Sequence, residues 1–190
     1  MFEKQLKEAF DPYYQAPIES WVKFEKHAEE VFYKKNEIIK ASHSIGHYGY
    51  FLLKGAVGSF VWKKNNYACL DIFLENSFFA DDYSLTSGNP SPLEIRSLEA
   101  CHLLRLHRSN IEELKKSSIG KMLFLVGEQQ DNAKKQHQQI ELMTKTAEER
   151  YQEILENQPE LLRRIPQKHI ASLLGITSQS LSRIRRKFLQ

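Results

Sequence analysis

Gln179, Arg183 and Arg186 recur at i, i+4 and i+7 near the end of the chain, a spacing that puts an amide and two guanidiniums on one face of any helix carrying them. Such a face has no nucleophile and no base. It can donate hydrogen bonds to base edges and to phosphate oxygens, which is binding chemistry. A second stripe, Leu181, Ile184 and Phe188, runs at i, i+3, i+7 along the same stretch and predicts the buried side of that helix. Upstream, Ile170, Leu173 and Leu174 share a face of an earlier helix, and Ala171 is small enough to let another element approach. Gly175 between the two can take the left-handed conformation that ends a helix, and Thr177 stands where an N-cap belongs. Ile165 to Phe188 therefore predicts a helix-turn-helix whose second helix suits the major groove of DNA.

The charge pattern supports this reading. From Leu161 to Gln190 there is no Asp or Glu, while Arg163, Arg164, Lys168, Arg183, Arg185, Arg186 and Lys187 supply +7. The whole chain carries only +3, which leaves −4 for residues 1–160. A merely solvated face mixes signs because like charges repel; a stretch free of acids suits a surface facing phosphates.

The elements that must position this face are visible in the rest of the sequence. Residues 2–10 and 18–31 are amphipathic and predict helices, the second after turns at Asp11-Pro12 and Pro17. From about Val31 to Leu106 the texture changes to short β-type runs: VFYK, EIIK, YGYFLLK, AVGSFVWK, YACLDIFL, LEIRSL and CHLLRL. Turn residues separate them, including Gly55, a hairpin turn at Lys64-Asn65-Asn66, and Ser87 to Pro90. Many short strands at regular spacing predict a sandwich or barrel.

After Ser109-Asn110 the pattern turns helical for more than thirty residues. Ile119, Val126, Ala133 and Ile140 are spaced by seven, and Met122, Gln129, Gln136 and Met143 form a parallel series three residues later. Together they predict an a/d seam over about four heptads, and a helix so polar elsewhere has little but a second copy to bury it against. Thr146 then predicts the cap of a helix over Ala147–Asn157, with Glu148 and Glu149 in its first turn, and Gln158-Pro159 breaks it.

Composition excludes several classes. With 190 residues and 41 % hydrophobic content the chain can bury a core in one large or two small domains. Two cysteines, Cys69 and Cys101, make neither a disulfide framework nor a metal cluster and fit a reducing compartment. The start MFEKQLKEAF has no apolar core of a leader, and no stretch approaches a membrane span. The expectation is a cytoplasmic protein with no membrane partner. His43 and His47 in HSIGH are separated by Gly46 and lack a third ligand, so no metal is expected. No nucleophile–base pair and no Gly-rich phosphate loop is present, so an enzyme is not expected.

The order of N-terminal helices, β-roll, long helix and helix-turn-helix resembles the Crp/Fnr family of bacterial transcription regulators across essentially the whole chain. HIASLLGITSQSLSRIRRKF is similar to that family's DNA-reading module, TAEERYQEIL to the helix that opens its DNA-binding domain, and YFLLKGAV to its β-roll hairpin with a turn glycine at Gly55. The resemblance implies an α+β protein: a β-roll of cyclic-nucleotide-binding, jelly-roll type over 1–108, a dimerisation helix over 109–145, and a winged-helix-like DNA-binding domain over 146–190, although the sequence stops two residues after Phe188.

Carried over position by position, the resemblance makes Ser178, Gln179 and Arg183 the base-reading residues, with Gln167, Lys168, Ser180, Arg185, Arg186 and Lys187 on phosphates. Members that bind cyclic AMP hold it with a Gly-Glu pair and, about ten residues on, an Arg followed by Ser or Thr. Here the first pair is Ala80-Asp81 and the second is Ser91-Pro92. A serine cannot neutralise a phosphodiester, a proline offers neither hydroxyl nor N–H, and Asp81-Asp82 adds repulsion. The pocket reads as degenerate: cyclic AMP is not expected, nor, with two cysteines, an iron–sulfur cluster. The expected protein is a homodimeric transcription regulator with double-stranded DNA of near-palindromic sequence and RNA polymerase as partners. The alternative is a small-molecule sensor acting mainly through a protein partner.

Overall fold

The computed structural model describes residues 1–63 and 66–188. Two helices, α1 (Glu3–Phe10) and α2 (Ile18–His27), precede eight strands: β1 (Glu29–Tyr33), β2 (Ile38–Lys40), β3 (Tyr48–Lys54), β4 (Val57–Lys63), β5 (Asn66–Phe73), β6 (Phe78–Ala80), β7 (Leu93–Ser97) and β8 (Cys101–His107). A short helix α3 (Asp82–Ser87) interrupts them. The strands form two antiparallel sheets, ordered β1-β8-β3-β6 and β2-β7-β4-β5. Then follow α4 (Arg108–Leu114), α5 (Ser118–Thr144), α6 (Ala147–Asn157), α7 (Pro159–Arg164), α8 (Gln167–Leu173) and α9 (Ser178–Phe188).

Strand alternation builds three layers from one sequence pattern. On β3, Tyr50 and Leu52 point between the sheets, where they meet Val57, Phe79, Ile95 and Leu103. Phe51 and Leu53 point the other way and pack under α1, α2 and the start of α5 with Leu6, Phe10, Trp21 and Leu123. The outer face of the second sheet is covered by the C-terminal helices, through Phe60, Cys69 and Ile72. A bulge makes that face possible. Ser59 pairs with Asp71 and Phe60 with Cys69, so Leu70 is skipped in the register. The skip resets the alternation, and Tyr67 and Cys69 join Ile72 and Leu74 on the covered side.

Several elements differ from the sequence expectation. The second helix ends at His27, not at residue 31, because Val31 is drawn into β1 opposite Leu103. The strand β6 and the helix α7 were not anticipated; at three and six residues they are too short to show a period. The helical pattern from Ser109 is two helices. The chain breaks at Lys115–Ser117, Ser117 caps α5 by accepting from the N–H of Gly120 at 3.1 Å, and a Cβ at Gly120 would lie 1.9 Å from the Leu114 carbonyl oxygen. Only glycine fits that approach. The turn at Lys64-Asn65 lies outside the described residues, and Lys63 and Asn66 pair on either side of it. From α6 to the end of α9 at Phe188, the last described residue, the C-terminal region is all helical. No helix of the described residues is long and apolar enough to cross a membrane.

Candidate nucleic-acid interface and the closed interior of the β-roll

Helices α8 and α9 form the anticipated helix-turn-helix. Gly175 takes φ +68° after α8, and the Thr177 hydroxyl accepts from the N–H of Ser180 at 3.2 Å. Leu181 is buried, and Ile184 and Phe188 pack beside it against Tyr151, Leu161 and Ile170. Arg150 on α6 steadies the turn by donating to the Leu174 carbonyl at 2.8 Å. The cap expected at Thr146 is present, and it is a full capping box with Glu149 as its second member.

This packing leaves the polar stripe outside. Ser178, Gln179, Arg183, Arg186 and Lys187 are exposed, Ser180 and Arg185 half-buried, and Gln167 and Lys168 exposed at the start of α8. Arg183 donates to the Ser180 hydroxyl at 3.3 Å, a contact that holds it along the helix. Lys187 is shared with Glu148 of α6 at 2.6 Å, so part of its charge is already answered.

Two basic residues of the acid-free stretch, Arg163 and Arg164, are on α7 and not at this face, and Arg163 pairs with Glu160. Arg164 turns toward the β-roll, donating to Glu75 at 2.7 and 2.8 Å, to Glu99 and to the carbonyl of Gly55. Glu75 also accepts from the N–H of Gly55, and the guanidinium holds its carboxyl down at about 2. The acids that answer Arg164 are far upstream in the chain, while the acid nearest in sequence, Glu160, pairs with Arg163. Two further bonds complete the docking of the helical domain: the Ser172 hydroxyl accepts from the N–H of Cys69 at 2.8 Å, and the Tyr67 hydroxyl meets Nδ1 of His169 at 3.3 Å. His169 is buried against Phe60. Burial, then the nearby charges of Lys168 and Arg96, lower its pKa to about 4.

The pocket residues inferred from the resemblance separate. Ala80, Asp81 and Ser91 lie at one end of the space between the sheets; Pro92 is exposed, its carbonyl accepting from the Ser42 hydroxyl. Asp81 caps α3 by accepting from the N–H of Ser84, and Ser91 donates its hydroxyl to the same carboxylate. The unforeseen member is Lys40 of β2. Its ammonium lies 2.7 Å from Asp81 Oδ2, with side chains only 5 % and 4 % exposed. It also donates to the Ser91 hydroxyl at 2.9 Å and to the carbonyls of Ser91 and Leu93. The repulsion expected of Asp81-Asp82 is thus answered inside the chain: Asp81 by Lys40, and Asp82 by Lys135 of α5 at 2.6 Å. Arg96 pairs with Glu94.

Beside this network the interior is filled by aromatic rings. Phe79 stacks between Tyr50 and Phe73 with centroids 5.2 and 4.9 Å away, and burial pushes the Tyr50 hydroxyl pKa well above its ordinary value. Hollows on the surface lie elsewhere, one lined by Met1, Val22 and Lys26, another by Phe24, Leu114 and Phe124. Among the described residues no three metal-ligating side chains come together, His43 and His47 included.

No family model matches the sequence, and no curated protein matches it. Solved structures do match in fold. CLP, a c-di-GMP-responsive global regulator of Xanthomonas campestris, superposes with a TM-score of 0.70 at 15 % identity, over 91 % of this chain and 92 % of its own. FixK2 of Bradyrhizobium japonicum gives 0.70 at 22 % identity, over 84 % and 83 %. A mutant of CooA from Carboxydothermus hydrogenoformans gives 0.67 at 18 %, over 96 % and 83 %. At such identities what is shared is architecture, and that architecture is the Crp/Fnr-type β-roll, long helix and helical C-terminal domain.

Proposed function

We propose that the chain is a homodimeric DNA-binding transcription regulator of the Crp/Fnr type that works without a cyclic nucleotide. The observation that carries this reading is the exposed stripe of α9. Gln179, Arg183 and Arg186 stand free of acids on a helix whose opposite side is locked into the core. Arg183 can bond O6 and N7 of guanine together, worth about 1–3 kcal/mol of discrimination, and Gln179 can bond adenine N6 and N7. Ser178 reaches base edges beside them. Arg185, Arg186, Lys187, Ser180 and the α8 pair Gln167 and Lys168 grip the backbone.

The dimer follows from α5. Ile119, Met122, Ile140 and Met143 are 38, 42, 51 and 79 % exposed in the protomer, a row of apolar side chains along one helix that a second copy would cover. With Gln129, Ala133 and Gln136 between them, and Val126 packed partly against its own protomer's core, it forms the seam for a second copy. Two copies place two α9 helices side by side, and the DNA-bound dimer acts on RNA polymerase. The filled interior of the β-roll weighs against a sensor for cyclic AMP or another ligand of that size acting through a protein partner.

Selection of bound sequences from random DNA with the purified full-length protein tests the reading. A near-palindrome is expected, with half-sites about one helical turn apart. A pool that stays random after repeated selection removes it.

A further inference from the structure

Lys40, Asp81 and Ser91 are three buried polar side chains packed together at one end of the roll, beside the buried Ser84. A buried ammonium needs an anion. Two of the groups around Lys40 are the neutral carbonyls of Ser91 and Leu93, and among the described residues Asp81 is the carboxylate paired with it. That carboxylate comes from the segment between β6 and α3, whereas Lys40 is on β2 and Ser91 precedes β7. The three therefore close one end of the roll only when Asp81 is seated. Asp82, the next residue, reaches out of the roll to Lys135 of α5.

We infer that Lys40 and Ser91 form a site for a small oxyanion, a carboxylate or a phosphate, and that the chain fills it with its own Asp81. The site is complete in the wild type, so α3 is held against β2 and β7, and tied to α5, with no added ligand. Removing the carboxylate leaves an ammonium and a hydroxyl facing a space of carboxylate size, which an external anion then enters. The consequence for DNA binding rests on the regulator reading: affinity of the wild type is the same with and without added anion.

Thermal unfolding of full-length protein tests the site without DNA. Wild type, Asp81→Gly and the double variant Lys40→Met with Asp81→Gly are titrated with acetate or inorganic phosphate at fixed ionic strength, with chloride as control. Acetate, phosphate or both raise the Tm of Asp81→Gly saturably, by several degrees, and leave the other two unmoved; which anion acts tells a carboxylate-sized space from one open to phosphate. An equal rise in the wild type, or no rise in a folded Asp81→Gly, overturns the inference. Should Asp81→Gly not fold, Asp81→Asn carries the test, because it keeps the size and the cap acceptor. Lys40→Met then lowers Tm in the wild-type background and raises it in the Asp81→Asn background; the same sign in both overturns the inference. Failure to select any DNA sequence removes the regulator reading and leaves these outcomes standing.

Discussion

The interior end of the β-roll and the outer stripe of α9 are built from the same kinds of groups and arranged in opposite ways. Inside, Lys40 has a carboxylate, a hydroxyl and two carbonyls around it, and nothing is left to offer a partner. Outside, Arg183 has a single long contact to a serine hydroxyl, and Gln179 stands in solvent. Polar groups satisfied within the chain hold the chain together; polar groups on a rigid helix with their capacity open are free to read something else. Arg164 shows that the sign of the charge does not decide which: it is a guanidinium like Arg183, yet Glu75 and Glu99 close it.

The largest expected effect that tests this contrast is on stability. Asp81→Asn strands a buried ammonium and should cost about 3–5 kcal/mol, read as a lowered denaturant midpoint, with DNA specificity of the folded fraction unchanged. Arg183→Ala should do the reverse. Stability stays near wild type, while affinity for the selected site falls by about 1–3 kcal/mol and affinity for random DNA barely changes, measured by fluorescence anisotropy. Equal losses on both DNAs would sink the base-reading role.

His169 gives a pH dependence that belongs to the docked domains. The fold favours its neutral ring, with pKa lowered from 6.5 to about 4. Between those values the unfolded chain holds the extra proton. Stability contributed by this group is therefore complete above pH 6.5 and falls as pH drops toward 4, by at most about 1.4 kcal/mol per pH unit. Acid titration of Tm in wild type and His169→Gln should show a shallower slope in the variant. Lys187→Ala should have the smallest effect: a uniform weakening on all DNAs and a salt slope flatter by no more than about one unit, because Glu148 already claims part of that charge.

Local patterns made much of this protein legible from its sequence. The stripe spacing on α9, the Thr146 and Thr177 caps and the Gly175 turn involve residues within a few positions of one another, and all stand in the fold as read. The β-type runs were visible for the same reason, whereas the three-residue β6 was not. The break at Lys115–Ser117 escaped because its cause is a close approach of Gly120 to Leu114, which no period records. The interior site was only half legible: Asp81 and Ser91 were found by position, but the cation that answers Asp81 was not, since Lys40 lies in an ordinary strand and shows no signal until β2 is laid beside β7.

By itself, then, the sequence determined which helix carries the polar stripe and that the stretch around it is free of acids, because both are properties of neighbours along one chain. Tertiary structure alone decided which charges remain open. Lys40 meets Ser91 across 51 positions, and Arg164 meets Glu75 across 89. A charge is closed or open according to what folding brings within about 4 Å, the distance over which burial and pairing outweigh solvation.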